Sequence, residues 1–225
     1  MNLKNINKSY AYMISIILLI GCSSSELIEN WKNPDISTFE AKKVFVIGIT
    51  PNLDNRKVFE QKLTSELREN NVNAFRSLDF FERFYADSPI TEEGLMKLET
   101  ELLQEGFDAI LLSKVIGVED KVTVLSATRN LDKTFKSFRN DYYENQDIYF
   151  QEDYYNEYQI FHAQSSLYCI CPDKEKEIIW RGSIDVTEPE NIKKAVNDYV
   201  KILIWALKEQ QLLIIESNID ENPNI

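Results

Sequence analysis

The chain has 225 residues, 37 acidic against 25 basic for a net charge of −12, with 44% hydrophobic and 12% aromatic residues. That is one domain with a real core, or two small ones, and the acidic balance excludes a general nucleic-acid binder, which needs a basic stripe to displace counterions. Six glycines and six prolines are too few for long disorder or a collagen-like or repeat architecture.

Lys4 and Lys8 precede Tyr10 to Gly21, an uncharged stretch shorter than the roughly 20 residues a permanent membrane helix needs. A positive start followed by a short apolar core is a secretory signal. Its end, Leu19-Ile20-Gly21-Cys22, resembles the bacterial lipobox, in which the cysteine becomes the first mature residue and carries thioether- and amide-linked acyl chains. Residues 1–21 then form a lipoprotein signal peptide, Cys22 is the lipidation site, and 22–41 is a polar tether beginning with Ser23, Ser24 and Ser25. Two or more acyl chains anchor stably where one does not. Losing residues 1–21 removes two lysines and no acid, so the net charge falls from −12 to −14. Ser23 stands where an aspartate would resemble an inner-membrane retention signal. The expectation is an outer-membrane, lipid-anchored protein on the periplasmic side, with surface exposure as the alternative.

Export also frames Cys169 and Cys171. In a strand, residues i and i+2 have Cα atoms roughly 6.5–7 Å apart, at or beyond the usual disulfide limit. They read as two small apolar strand residues, with a strained disulfide or a metal pair as the sharper alternative.

Lys43 to Ile49 is a β-branched run that suits a strand covered on both faces. Phe59, Leu63 and Leu67 recur every fourth residue in a helix from Asn55 to Glu69, with Asp54 as N-cap. Val72 to Arg76 is a second strand. Thr91 caps the next helix, Glu92 and Glu93 sit in its first turn, Ile90 with Leu95 forms a hydrophobic staple, and Gly106 closes it in the left-handed region. Asp108 to Ile116 is a buried strand, and Lys121 to Arg129 alternates as its antiparallel neighbour.

Residues 130–156 show neither period and hold a long loop rich in tyrosine and acids. Tyr158 to Ile170 and Glu177 to Val186 form a hairpin turned at Pro172 to Glu175, with Ile178, Trp180, Gly182, Ile184 and Val186 on one face. A last helix opens at the capping box Thr187-x-x-Glu190 and carries an apolar stripe of Ile192, Ala195, Val196, Tyr199, Leu203, Ala206 and Leu207. The fold class is α/β, or α+β: a mixed sheet of about six strands with three helices packed on it. Residues 42–217 make one domain, and 218–225 a tail.

The residues Cys22, Trp31, Lys43 to Thr50, Arg56, Phe59-Glu60, Gly106 to Ala109, Leu167-Tyr168 and Ile179 to Gly182 resemble a family of small outer-membrane lipoproteins of Gram-negative bacteria. The strand–helix order is also similar to the amino-terminal module of periplasmic assembly lipoproteins, a likeness of topology. Some members of the first family bear the label cardiolipin synthetase. Phospholipase-D-type synthases carry paired His-x-Lys motifs, whereas His162 is the only histidine here and is followed by Ala163 and Gln164.

No catalytic residue stands out. A lone histidine inside a predicted strand argues against most metal sites and against a Ser-His-Asp triad, the glycines are isolated, and no D-x-D-x-D-G spacing suggests calcium. No cofactor is expected beyond the covalent lipid on Cys22, and no metal. Tyr142, Tyr143, Tyr149, Tyr154 and Tyr155 are the candidate partner-binding residues, since tyrosine offers large contact area at low rotamer cost. The expected partners are the membrane, through the acyl chains, and an envelope protein or glycan. The expected function is non-catalytic binding or scaffolding in the envelope. The alternative is an envelope hydrolase using paired carboxylates near the 140–157 loop.

Overall fold

The computed structural model describes residues 25–36, 39–81, 90–120, 137–146, 159–170, 177–187 and 191–213. The predicted signal peptide, Cys22, the predicted strand at 121–129, and Tyr149, Tyr154 and Tyr155 lie outside these residues.

The described residues form a six-stranded mixed sheet with five helices, an α/β fold as the periodicities indicate. In chain order the elements are β1 (Ser25–Lys32), β2 (Lys43–Ile49), α1 (Leu53–Glu69), β3 (Asn73–Arg76), α2 (Ser77–Phe81), α3 (Glu92–Gln104), β4 (Ala109–Asp120), α4 (Phe138–Asn145), β5 (Gln159–Cys169), β6 (Ile178–Thr187) and α5 (Ile192–Glu209). The sheet order is β1-β6-β5-β4-β2-β3. β4, β2 and β3 are parallel, while β4, β5, β6 and β1 pair antiparallel. Helical crossovers join the parallel strands and a hairpin joins β5 to β6, as each connection type requires.

Two cores follow from strand alternation. On one face Val44, Val46, Leu111, Leu167, Trp180 and Ile184 meet Leu63 and Leu67 of α1 and Tyr199, Leu203 and Leu207 of α5. On the other, Phe45, Ile47, Ile110, Leu112 and Tyr168 meet Leu95, Leu98 and Leu102 of α3 and Phe138 and Tyr142 of α4.

Several local expectations hold. Thr91 accepts the Gly94 amide as N-cap, and Gly106 has φ +78°. β5 and β6 form the hairpin.

Others are corrected. Residues 25–32, read as tether, form β1, an edge strand antiparallel to β6 that starts opposite Val186. Nothing in the spacing of Trp31, Pro34 and Phe39 announces a strand, because its register is set by β6. Helix α1 is capped by Asn52, not Asp54: its Oδ1 accepts from the amides of Asp54 and Asn55 at 3.0 and 2.9 Å. Asn191 rather than Thr187 caps α5.

The face shared by Ile178 and Trp180 is broken by a bulge. Leu167 pairs with Trp180 but Tyr168 with Ile178, so Ile179 is the extra residue. Ile178 consequently faces α3 and α4, while Trp180, Ile184 and Val186 face α5.

The stretch read as an aperiodic loop contains α4, capped by Ser137. Its inward residues Phe138, Asp141 and Tyr142 follow helical spacing over only two turns, too few for a period to show. Cys169 is disulfide-bonded, with its partner outside the described residues, which corrects its reading as a free apolar strand residue.

Candidate functional site

Among the described residues, buried polar side chains gather at three places where a helix covers the sheet.

The first lies at the C-terminal ends of β2 and β3. Open α/β sheets commonly bind ligands there, where crossovers leave on opposite faces of the sheet. Glu60 of α1 is fully buried and its carboxylate accepts from the Gly48 amide (3.0 Å), Arg56 Nε (2.9 Å), Ser77 Oγ (2.6 Å) and the Leu78 amide (3.1 Å). Arg56 Nη2 also donates to Ser77 Oγ at 2.8 Å. The approach depends on Gly48, because a Cβ there would lie 2.9 Å from the Phe59 ring. The amides that would grip a ligand's anion are thus taken by the chain's own carboxylate, and those opening α1 by Asn52. The Arg56, Phe59 and Glu60 pattern is a structural clasp.

The second place is the sheet face beneath α4. Lys114 of β4, 8% exposed, donates to Asp141 Oδ1, and the Tyr168 hydroxyl of β5 donates to Asp141 Oδ2. Asn145 Nδ2 reaches the same carboxylate at 3.1 Å and its backbone carbonyl at 2.6 Å. Burial first, and the Asp141 charge second, hold the Tyr168 hydroxyl far above the ordinary phenol range. Arg139 of α4 pairs with the fully buried Glu99 of α3 at 3.0 Å, joining the two helices.

From this triad a polar floor continues across the same face of β5 and β6. Gln164, Ser166 and Ser183 are buried, Arg181 Nε donates to Ser166 Oγ at 3.3 Å, and His162 Nδ1 lies 2.8 Å from Asp185 Oδ1. His162 is therefore a hydrogen-bonded strand histidine, as its position within the predicted strand suggests.

The third place is on the opposite face, where Ser113, Ser165 and Tyr199 form a chain of hydroxyls at 2.6 and 2.8 Å. Burial pushes the Tyr199 hydroxyl up to about 12. Its ring packs edge-on against Phe59, 5.8 Å between centroids.

Chemically, the Glu60 and Asp141 carboxylates and the Ser113–Ser165–Tyr199 hydroxyls are engaged by their neighbours. Asp141 has one oxygen on an ammonium and the other on a phenol, the arrangement of a buried counter-ion and not of a free general base. Among the described residues no group of three His, Cys, Asp or Glu is placed to hold a metal ion.

The predicted tyrosines divide. Tyr142 is fully buried between Phe138 and the sheet, so it cannot meet a partner. Tyr143, its neighbour, is 54% exposed and turns outward. The Lys114–Asp141–Tyr168 triad went unread in the sequence. Its signal was Lys114 itself, a cation inside the run Ala109 to Ile116, which burial would force to find a counter-ion.

No family model matches the chain, and no curated protein matches it. Among solved structures, a variant PelC dodecamer from Paraburkholderia phytofirmans is 11% identical, covers 81% of this chain and 97% of its own, and superposes with a TM-score of 0.43. The lipoprotein GNA1162 from Neisseria meningitidis is 15% identical, covers 75% of this chain and 94% of its own, and gives 0.38. One neighbour is thus a lipoprotein. At these identities and scores the likeness assigns neither a family nor a function to this chain. No helix among the described residues is long and apolar enough to cross a membrane.

Proposed function

We propose that this protein is a lipid-anchored component of the bacterial cell envelope, held at the outer membrane through Cys22, and that it binds or scaffolds envelope components without catalysing a reaction. The observation that carries the reading is Leu19-Ile20-Gly21-Cys22 directly at the end of an uncharged core that follows two lysines. The site geometry supports the non-catalytic half. The buried ionisable groups of the α4 face and of the Arg56–Glu60 clasp are engaged with each other, the pattern of a fold held together by polar pairs.

Substituting Cys22→Ser is expected to abolish palmitate labelling and move the protein out of the membrane fraction. Undiminished labelling overturns the anchor.

Partner binding is assigned to the tyrosine-rich stretch through Tyr143, Tyr149, Tyr154 and Tyr155, with Tyr142 withdrawn because it belongs to the core. Replacing those four by serine should leave the melt cooperative and eliminate partners recovered with the wild-type protein from detergent-solubilised envelope. Recovery of the same partners from the variant refutes the assignment.

A further inference from the structure

We infer that one end of the sheet is seated directly on the bilayer surface, with Leu53 and Ile116 facing the lipid. The inference rests on the lipid-anchor reading of Cys22 and goes beyond it by fixing which surface of the domain meets the membrane.

The decisive observation is where β1 starts. A long tether would let the domain tumble at a distance from its anchor. Instead Ser25 is already hydrogen-bonded sheet, opposite Val186 of β6. Only Ser23 and Ser24 lie between Cys22 and Ser25, and three Cα–Cα steps span at most about 11 Å even when fully extended. An acylated Cys22 therefore holds this corner of the sheet within headgroup distance of the hydrocarbon.

The row through Ser25 runs across the sheet. Ser25 pairs with Val186, Val186 with Phe161, and Phe161 with Val118, so one end of four strands is defined by a single register. β2 points the same way, since its last residues Gly48 and Ile49 pair with Ser113 and Lys114 on the way toward Val118. The first residue of α1 emerges at this end. So does the N-terminus of α5, because Lys32 Nζ reaches the carbonyl of Gln210 and thereby puts the helix's C-terminus at the far end.

Among the described residues, Leu53, 54% exposed at the start of α1, and Ile116, 44% exposed at the β4 bulge, are large apolar side chains exposed toward this end, with Ile28 also partly exposed on β1. Neither position is forced by the core. Electrostatics does not supply the contact, since a mature charge of −14 is repelled by anionic headgroups, so seating depends on the acyl chains and on apolar side chains entering the interface. The opposite end, where α3 closes at Glu105 and Gly106, lies beyond Ala109, and the nine residues from there to Val118 place it roughly 30 Å away along β4.

The full-length lipidated protein, purified in detergent, is reconstituted into vesicles of phosphatidylethanolamine and phosphatidylglycerol containing a phospholipid with a diazirine in its acyl chain. After irradiation, cross-links are mapped by peptide mass spectrometry. Peptides carrying Leu53 and Ile116 should be labelled several-fold more than the peptide carrying Glu105. Inserting twelve Gly-Ser residues between Ser24 and Ser25 should remove that difference while the protein stays on the vesicles, because such a linker reaches about 20 Å. A Leu53→Ser/Ile116→Ser variant should likewise stay bound but lose the enhanced labelling.

Equal labelling of both ends in vesicle-bound wild type, or stronger labelling at Glu105, overturns the seating while leaving the anchor intact. Vesicle binding that persists in Cys22→Ser overturns the anchor itself, and the seating falls with it.

Discussion

The two faces of the sheet are buried by different chemistry. Under α1 and α5 the contact is apolar apart from the Ser113–Ser165–Tyr199 hydroxyls, and is centred on Trp180, whose ring lies across Gly182 so closely that a Cβ there would come within 2.5 Å of it. Its indole N–H finds Asn30 of β1 at 2.6 Å, so even the polar edge of the ring ties the first strand to the sheet. Under α3 and α4 the apolar contact gives way, toward β5 and β6, to Lys114, Asp141, Tyr168 and the polar floor. The first face resembles an ordinary helix-on-sheet core. The second is held by a buried charge pair, and removing one member weakens what compensates the other in low dielectric. A helix of eight residues has little apolar area with which to dock, and the ion pair fixes where α4 sits.

This contrast predicts how each face fails. The largest loss is expected from Trp180→Ala, which should cost about 4 kcal/mol through the cavity left beside α5. A loss below about 1 kcal/mol in denaturant melts would show that the face repacks and that the apolar side is not the stronger one. Asp141→Asn should cost about 3 kcal/mol, since the amide removes the buried carboxylate that faces the Lys114 ammonium. The test of mechanism is the triple variant Lys114→Met, Asp141→Leu, Tyr168→Phe. Removing the polar triad together should recover most of that stability, and a triple variant as unstable as the single one would mean that the geometry, not the unpaired charge, is what matters.

The smallest effect concerns the hydroxyl chain on the apolar face. Tyr199 has an ordinary value of 10.0 that burial pushes up to about 12. A folded-state value above the unfolded one means that the stabilisation is whole below about pH 10 and is lost as the pH climbs from about 10 to about 12. The loss across that window is on the order of 2–3 kcal/mol. Melts of wild type and Tyr199→Phe at pH 9, 10, 11 and 12 should converge as the pH rises, because lysine titration is common to both. Parallel curves would mean that Tyr199 does not stay protonated through folding. Tyr168 is raised by the same cause and adds a loss of the same sign, present equally in both proteins.

Much of the fold was written in local pattern. The run Val44 to Ile49, the cap at Thr91 and the positive-φ Gly106 each depend on neighbours within four or five residues, and each appears where the sequence puts it. The proposed lipid attachment at Cys22 rests in the same way on a short motif read along the chain. What the sequence left open required a partner far away. Ser25 to Lys32 became a strand because β6 offers a free edge about 150 residues later, and the extra residue Ile179 turned Ile178 to the opposite core. Asp141 acquired a role only when α4 packed over Lys114 and Tyr168, 27 residues before and after it. Hydrophobic period and capping act within one element and so show in the chain itself. Strand pairing, bulge placement and the matching of a buried charge are settled by which surfaces meet, and that is decided only when the whole sheet has closed around them.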